Sequence, residues 1–91
     1  MSFRAMAYAA RVVVPKHRKE IKGLPLAVYY ALCDTANDRT LVAFPSVFRI
    51  AEQCDCSPQK VSSATKHLES MGLIHIKHNK GKNNDYKINV P

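Results

Sequence analysis

Ninety-one residues make one domain, with room for a single small core and none for a catalytic cleft between lobes. A hydrophobic content of 46% excludes a disordered tail, and no apolar run approaches the ~20 residues needed to cross a bilayer. The formal net charge of +7 sits in the ends: residues 1–22 hold +5 and residues 76–91 hold +3, around a middle of −1. Such flanks suit a polyanion, and nucleic acid fits better than a membrane because no basic amphipathic helix is present. No signal-peptide stretch opens the chain, so the expected location is cytoplasmic, on nucleoid, plasmid or phage DNA.

Residues 1–22 read as a basic amino-terminal extension, a short helix or strand, ahead of a domain over 23–91. Phe3, Met6, Ala7 and Ala10 match a helical stripe, while Val12, Val13 and Val14 favour strand. Pro15 is expected to end whichever element precedes it, leaving Lys16 to Lys22 as an exposed basic connector. That connector is either a solvated linker or an arm that touches phosphates beside the main site. A helix then begins near Leu24-Pro25, with Leu24, Val28, Ala31, Leu32 and Thr35 as its buried stripe and Tyr29 on the flank. Asn37-Asp38 closes it with turn residues. Thr40 to Phe44, short, β-branched and aromatic, suits a small strand paired with a later hairpin.

The stretch from Phe44 to Ile74 organises the rest. Ser46 is placed to cap a short helix whose Val47, Ile50 and Ala51 share one face. Ser57 precedes Pro58, a preferred first helical residue, and Val61, Ala64, Thr65 and Leu68 then repeat at i, i+3, i+4, i+7. Only Cys54 to Cys56 separate the two patterns, so the helices must cross steeply. That is the helix-turn-helix arrangement, whose second helix is presented to the major groove of DNA.

With its stripe buried, the 58–70 helix shows Gln59, Ser63, Lys66 and Ser70, flanked by Lys60, Ser62 and His67. An ordinary solvated face would mix both charge signs; this one carries no acid and is rich in donors. Gln59, Ser62, Ser63 and Lys66 are therefore expected at base edges, with Lys60 and His67 on phosphates. The helix starts at Ser46 and Ser57 are further candidates for phosphate contact, because capped amino-terminal ends direct N–H groups outward. Gly72 is expected to end the helix in the left-handed conformation.

Ile74 and Ile76 then alternate with His75 and Lys77, and Tyr86, Ile88 and Val90 alternate again. The turn-forming run Asn79 to Asp85 joins them into a hairpin with a basic tip, a wing. Lys77, Lys80, Lys82 and Asn83 are expected to reach the sugar-phosphate backbone or the minor groove. The resulting fold class is α+β and mainly helical: a winged helix-turn-helix with a three-helix core, a C-terminal hairpin and a short N-terminal extension.

Three cysteines, Cys33, Cys54 and Cys56, form no disulfide framework and read as small reduced hydrophobes. Cys54 and Cys56 with His67, His75 and His78 lack the usual two-plus-two spacing of zinc ligands, so no metal is expected. No phosphate-cradling glycine loop is present, and no Ser or Cys is paired by sequence with an activating base. Neither an enzyme nor a cofactor is expected.

Leu24 through Asp38, then Phe44-Pro45-Ser46, Ile50-Ala51-Glu52, Ser57, Val61, Leu68-Glu69 and Met71-Gly72-Leu73-Ile74 resemble a winged helix-turn-helix family. That family is common in phage and plasmid replication proteins and related regulators. Ser2 through Ala9 also looks like the short segment that opens this domain in phage replication proteins. Where the family usually has an apolar-Gly-apolar corner, this chain has Cys54-Asp55-Cys56, and Asp adopts the left-handed conformation less easily than Gly. Pro58 also leaves one fewer backbone N–H at the helix start. The resemblance implies origin recognition by a replication initiator, with further chain beyond Pro91 and contacts to replication proteins. The alternatives are a stand-alone transcriptional regulator and a winged-helix protein-interaction module. Binding as a homodimer or as paired monomers on repeated sites fits either DNA-binding role.

Overall fold

The computed structural model describes residues 1–91 and opens with a nearly continuous helical rod. α1 spans Phe3–Tyr8, a π-helical stretch follows over Ala9–Val13, and α2 runs from Val14 to Ile21. Ser2 caps α1: its hydroxyl accepts the Ala5 N–H at 3.0 Å and donates to the Asp38 carboxylate at 2.9 Å. Asp38 also accepts the Arg4 N–H at 3.1 Å, which ties the first turn to the loop after α3 (Leu24–Thr35). Pro15 has no N–H to donate, and in a regular helix its ring would press on the Arg11 carbonyl. The widened turn just ahead of it, closed by the Val14 N–H on the Ala9 carbonyl, relieves that clash.

Four expectations for this segment are corrected. Pro15 does not end the element, and Val12 to Val14 are helical rather than extended. The buried stripe is Ala5, Ala9, Val13 and Ile21, whereas Phe3 is 75% exposed and Ala10 faces solvent. Small residues at 5 and 9 let the rod lie close on α3, so the bulky side chains turn outward. Lys16 to Lys22 is not a loose connector either. It is the body and end of α2, kinked at His17 (φ −117°, ψ 23°) and anchored by the fully buried Ile21.

In α3 the buried residues are Val28, Tyr29, Leu32 and Cys33. Thr35, expected in the core, is exposed and donates its hydroxyl to the Ala31 carbonyl at 2.8 Å, while Tyr29, expected on the flank, is fully buried. The reason is the amino-terminal rod: α3 is packed from both sides, so its apolar stripe is wider and rotated. The Tyr29 hydroxyl has only the Cys33 thiol, a weak partner outside good hydrogen-bond geometry, beside it, and burial together with Cys33 and Tyr8 keeps it protonated. Burial pushes the Cys33 thiol up to about 12.

The remaining elements are β1 (Val42–Ala43), α4 (Val47–Cys54), α5 (Pro58–Ser70), β2 (Ile74–Lys77) and β3 (Asp85–Ile88). The strands form one antiparallel sheet in the order β1-β3-β2, so the short Thr40–Phe44 segment does pair with the hairpin. Ile74 lies opposite Ile88 and Ile76 opposite Tyr86, which sends all four side chains into the core with Val28, Leu32, Ile50, Val61 and Leu68. Leu41, held at φ 61°, enters this sheet under strain, and its carbonyl accepts the Ile88 N–H at 2.8 Å. The architecture is a winged helix-turn-helix with an extra helical layer packed against α3.

Candidate nucleic-acid interface

α4 and α5 meet at a corner whose backbone is fully accounted for. Asp55 takes the left-handed conformation (φ 52°, ψ 52°), so it fills the role glycine has in the related corners. The Asp55 N–H donates to the Glu52 carbonyl and the Cys56 N–H to the Ala51 carbonyl, a paired closure that satisfies the end of α4. Cys54 and Cys56 pack half-buried against the core, and burial raises the Cys54 thiol, with Cys56 adding to the shift. α5 ends the same way. Gly72 (φ 74°) donates to Glu69 and Leu73 donates to Leu68.

Both caps form as the spacing predicts. The Ser46 hydroxyl accepts the Arg49 N–H at 3.1 Å, and the Ser57 hydroxyl accepts the Lys60 N–H at 3.3 Å. Each oxygen is thus an acceptor in the protein while its own proton stays free to donate outward. Along α5, Val61, Ala64, Thr65 and Leu68 are buried, and Gln59, Lys60, Ser62, Ser63, Lys66 and His67 are all exposed. This outer face therefore points away from the core over the helix's whole length.

Two of the expected phosphate contacts prove to have structural work. His67 Nε2 lies 2.7 Å from the Glu20 carbonyl at the end of α2. A carbonyl only accepts, so this nitrogen carries the proton and is already engaged. Asn83 donates its side-chain N–H to the Phe44 carbonyl at 3.3 Å, which fastens the wing loop beside the start of α4. Within that loop Asn79 donates to the Asn83 carbonyl and the Asp85 carboxylate, and Lys80 and Lys82 stand exposed on either side of Gly81. Lys77 is exposed on β2.

Glu69 sets where the wing sits. Its carboxylate accepts the Ile76 N–H of edge strand β2 at 2.8 Å and lies 3.7 Å from His75 Nδ1. At the base of the hairpin, Asn89 donates its backbone N–H to Leu73 and its side chain to Gly72. The hairpin is thereby fixed to the carboxyl end of α5 by three hydrogen bonds.

That Glu69–His75 contact is the one approach of a carboxylate to a basic side chain within 4.0 Å. No lysine or arginine has a carboxylate within 4.0 Å, so none of the 14 is neutralised by a close partner. Periodicity missed Arg49, exposed on the first turn of α4, and the aromatic pair Phe44 and Phe48, 66% and 75% exposed beside the Ser46 cap. Their signal was present in the sequence: once Ile50 and Ala51 are assigned inward, positions 48 and 49 must face out.

A capped helix whose outer face carries no acid, joined to its predecessor by a tight corner and with a fastened hairpin beside it, defines a helix-turn-helix protein of the winged type. Residues 19–74, well over half the chain, match the helix-turn-helix domain family, and the protein belongs to that family. Membership points to DNA binding. The matched span begins inside α2 and ends at the first residue of β2, taking in the whole helical corner. No curated protein and no solved structure matches the chain. No helix is long and apolar enough to cross a membrane.

Proposed function

We propose that the protein binds double-stranded DNA sequence-specifically and without catalysis, α5 entering the major groove and the wing gripping the backbone. The observation that carries this reading is the outer face of α5: five exposed donors (Gln59, Lys60, Ser62, Ser63 and Lys66), no acid, and no carboxylate near its lysines. Gln59, Ser62, Ser63 and Lys66 read base edges, because amide, hydroxyl and ammonium donors match the N7, O6 and O4 acceptors of the major groove. Lys60, Lys77, Lys80 and Lys82 take phosphates, and the free hydroxyl protons of Ser46 and Ser57 add neutral contacts at the helix starts. The resemblance to phage and plasmid replication proteins favours origin recognition as the biological setting, ahead of transcriptional regulation.

Selection of bound sequences from a random duplex pool tests the reading. The expected result is a defined consensus, repeated or palindromic if copies bind in pairs. With roughly five to seven phosphates neutralised, the logarithm of affinity falls against log salt with a slope of about −4 to −6. Enrichment of no sequence, or binding that survives molar salt, would defeat the proposal. A gel-shift comparison of origin repeats with the promoter of the protein's own gene separates initiator from regulator.

A further inference from the structure

We propose that α2 forms a second backbone-gripping edge of the DNA interface, and that His67 is the positioning residue that holds it there. The inference rests on the DNA-binding reading and extends it to a surface outside the helical corner. Lys16, Arg18, Lys19 and Lys22 are all exposed on or immediately after α2. Glu20 is the only acid in residues 1–22, and it forms no ion pair. Four unneutralised cations within seven residues make this the densest positive charge in the chain.

Its place in the fold gives that charge a partner. The Glu20 carbonyl sits 2.7 Å from His67 Nε2, on the flank of the reading helix. Lys19 and Lys22 lie one and two residues from that contact, within about 7 Å of chain. The next residues, Leu24 and Pro25, line a shallow hollow together with Lys60, Ser63 and His67 of α5. The chain from Glu20 to Pro25 therefore runs along one side of the helix that would enter the groove. A major groove is about 12 Å wide between phosphate ridges, so an element bordering the groove-filling helix lies over one of those ridges. The wing is held by different contacts, to the start of α4 through Asn83 and to the carboxyl end of α5 through Glu69 and Asn89. Ile21, fully buried, fixes the backbone of α2, and His67 fixes its distance from α5.

The measurement is the salt dependence of affinity for the selected duplex, with circular dichroism confirming that each variant is folded. Replacing Lys16, Arg18, Lys19 and Lys22 together by Ala should flatten the slope by about 2 to 4, at roughly 0.9 per phosphate released, with the preferred sequence unchanged. His67→Ala removes no lysine or arginine, yet should flatten the slope by about 1 or more because α2 loses its hold. His67→Gln keeps a donor for the Glu20 carbonyl and should restore the parent slope. A fourfold variant with the parent slope would overturn the second edge, and a His67→Ala slope equal to the parent would overturn the positioning role. A parent protein that binds no duplex at all would instead strike the underlying DNA-binding reading, and this inference with it.

Discussion

The helix-turn-helix corner and the amino-terminal rod solve the same packing problem with opposite materials. α5 buries Val61, Ala64, Thr65 and Leu68 at regular helical spacing, so its inner and outer faces follow from counting residues. The rod buries Ala5, Ala9 and Val13 and leaves Phe3 and Val12 in solvent. Its side chains are chosen for closeness of approach rather than bulk, and a π turn shifts the phase midway. Large apolar residues mark a core face only where the neighbouring element stands far enough away to be reached by them.

The sharpest way to break this comparison is to cut the same kind of side chain from each region. Leu68 and Ile21 are both 0% exposed, and Leu68→Ala and Ile21→Ala should each cost about 2–5 kcal/mol, with unfolding in urea still a single transition. A near-neutral Ile21→Ala would mean that the rod is an appendage rather than part of the core. On the functional side, Lys66→Ala should weaken binding by about 1–3 kcal/mol and alter sequence preference, while Lys80→Ala should weaken all sequences alike. Competition assays against mutated sites distinguish the two, and a Lys80 variant that lost preference for one site would reverse the assignment.

A smaller effect is expected where the rod meets α3. Tyr29 is fully buried with its hydroxyl in no well-formed hydrogen bond, so Tyr29→Phe should stabilise the protein by about 1 kcal/mol in the same urea titration. Loss of stability instead would reveal a hydrogen bond in solution.

The smallest prediction concerns acid. The Asp38 carboxyl is held below its ordinary value of 3.8, first by the Arg4 N–H and then by the Ser2 hydroxyl. A depressed native value means that its contribution is complete above the unfolded value and fades as pH falls through the native one. Amide exchange at Ala5 and Ala9 should therefore quicken relative to Val61 below about pH 4, near the ordinary carboxyl value. Loosening on the alkaline side would show the sign to be wrong.

Much of the corner was legible because its devices are local. Ser46 and Ser57 cap helices three residues ahead, Gly72 closes one, and each acts over a single turn of chain. Asp55 shows the same economy: a corner without glycine is still made, by a residue whose short polar side chain tolerates the left-handed region. The reading face was legible for the same reason, since its residues are what remains once the buried stripe is removed. The structural contacts of His67 and Asn83, both expected at the DNA, were not legible because their partners, Glu20 and Phe44, lie 47 and 39 residues away. No local pattern carries a contact of that separation.

Two helices, their caps, the hairpin and the sign of the outer charge were written in the order of the residues, because periodicity and capping are properties of neighbours along the chain. The turn of Tyr29 into the core and Thr35 out of it, the seating of α2 against α5, and the fastening of the wing through Asn83 to Phe44 were settled only when distant segments met. Burial and long-range hydrogen bonds depend on what packs opposite, and that partner is chosen by the fold as a whole.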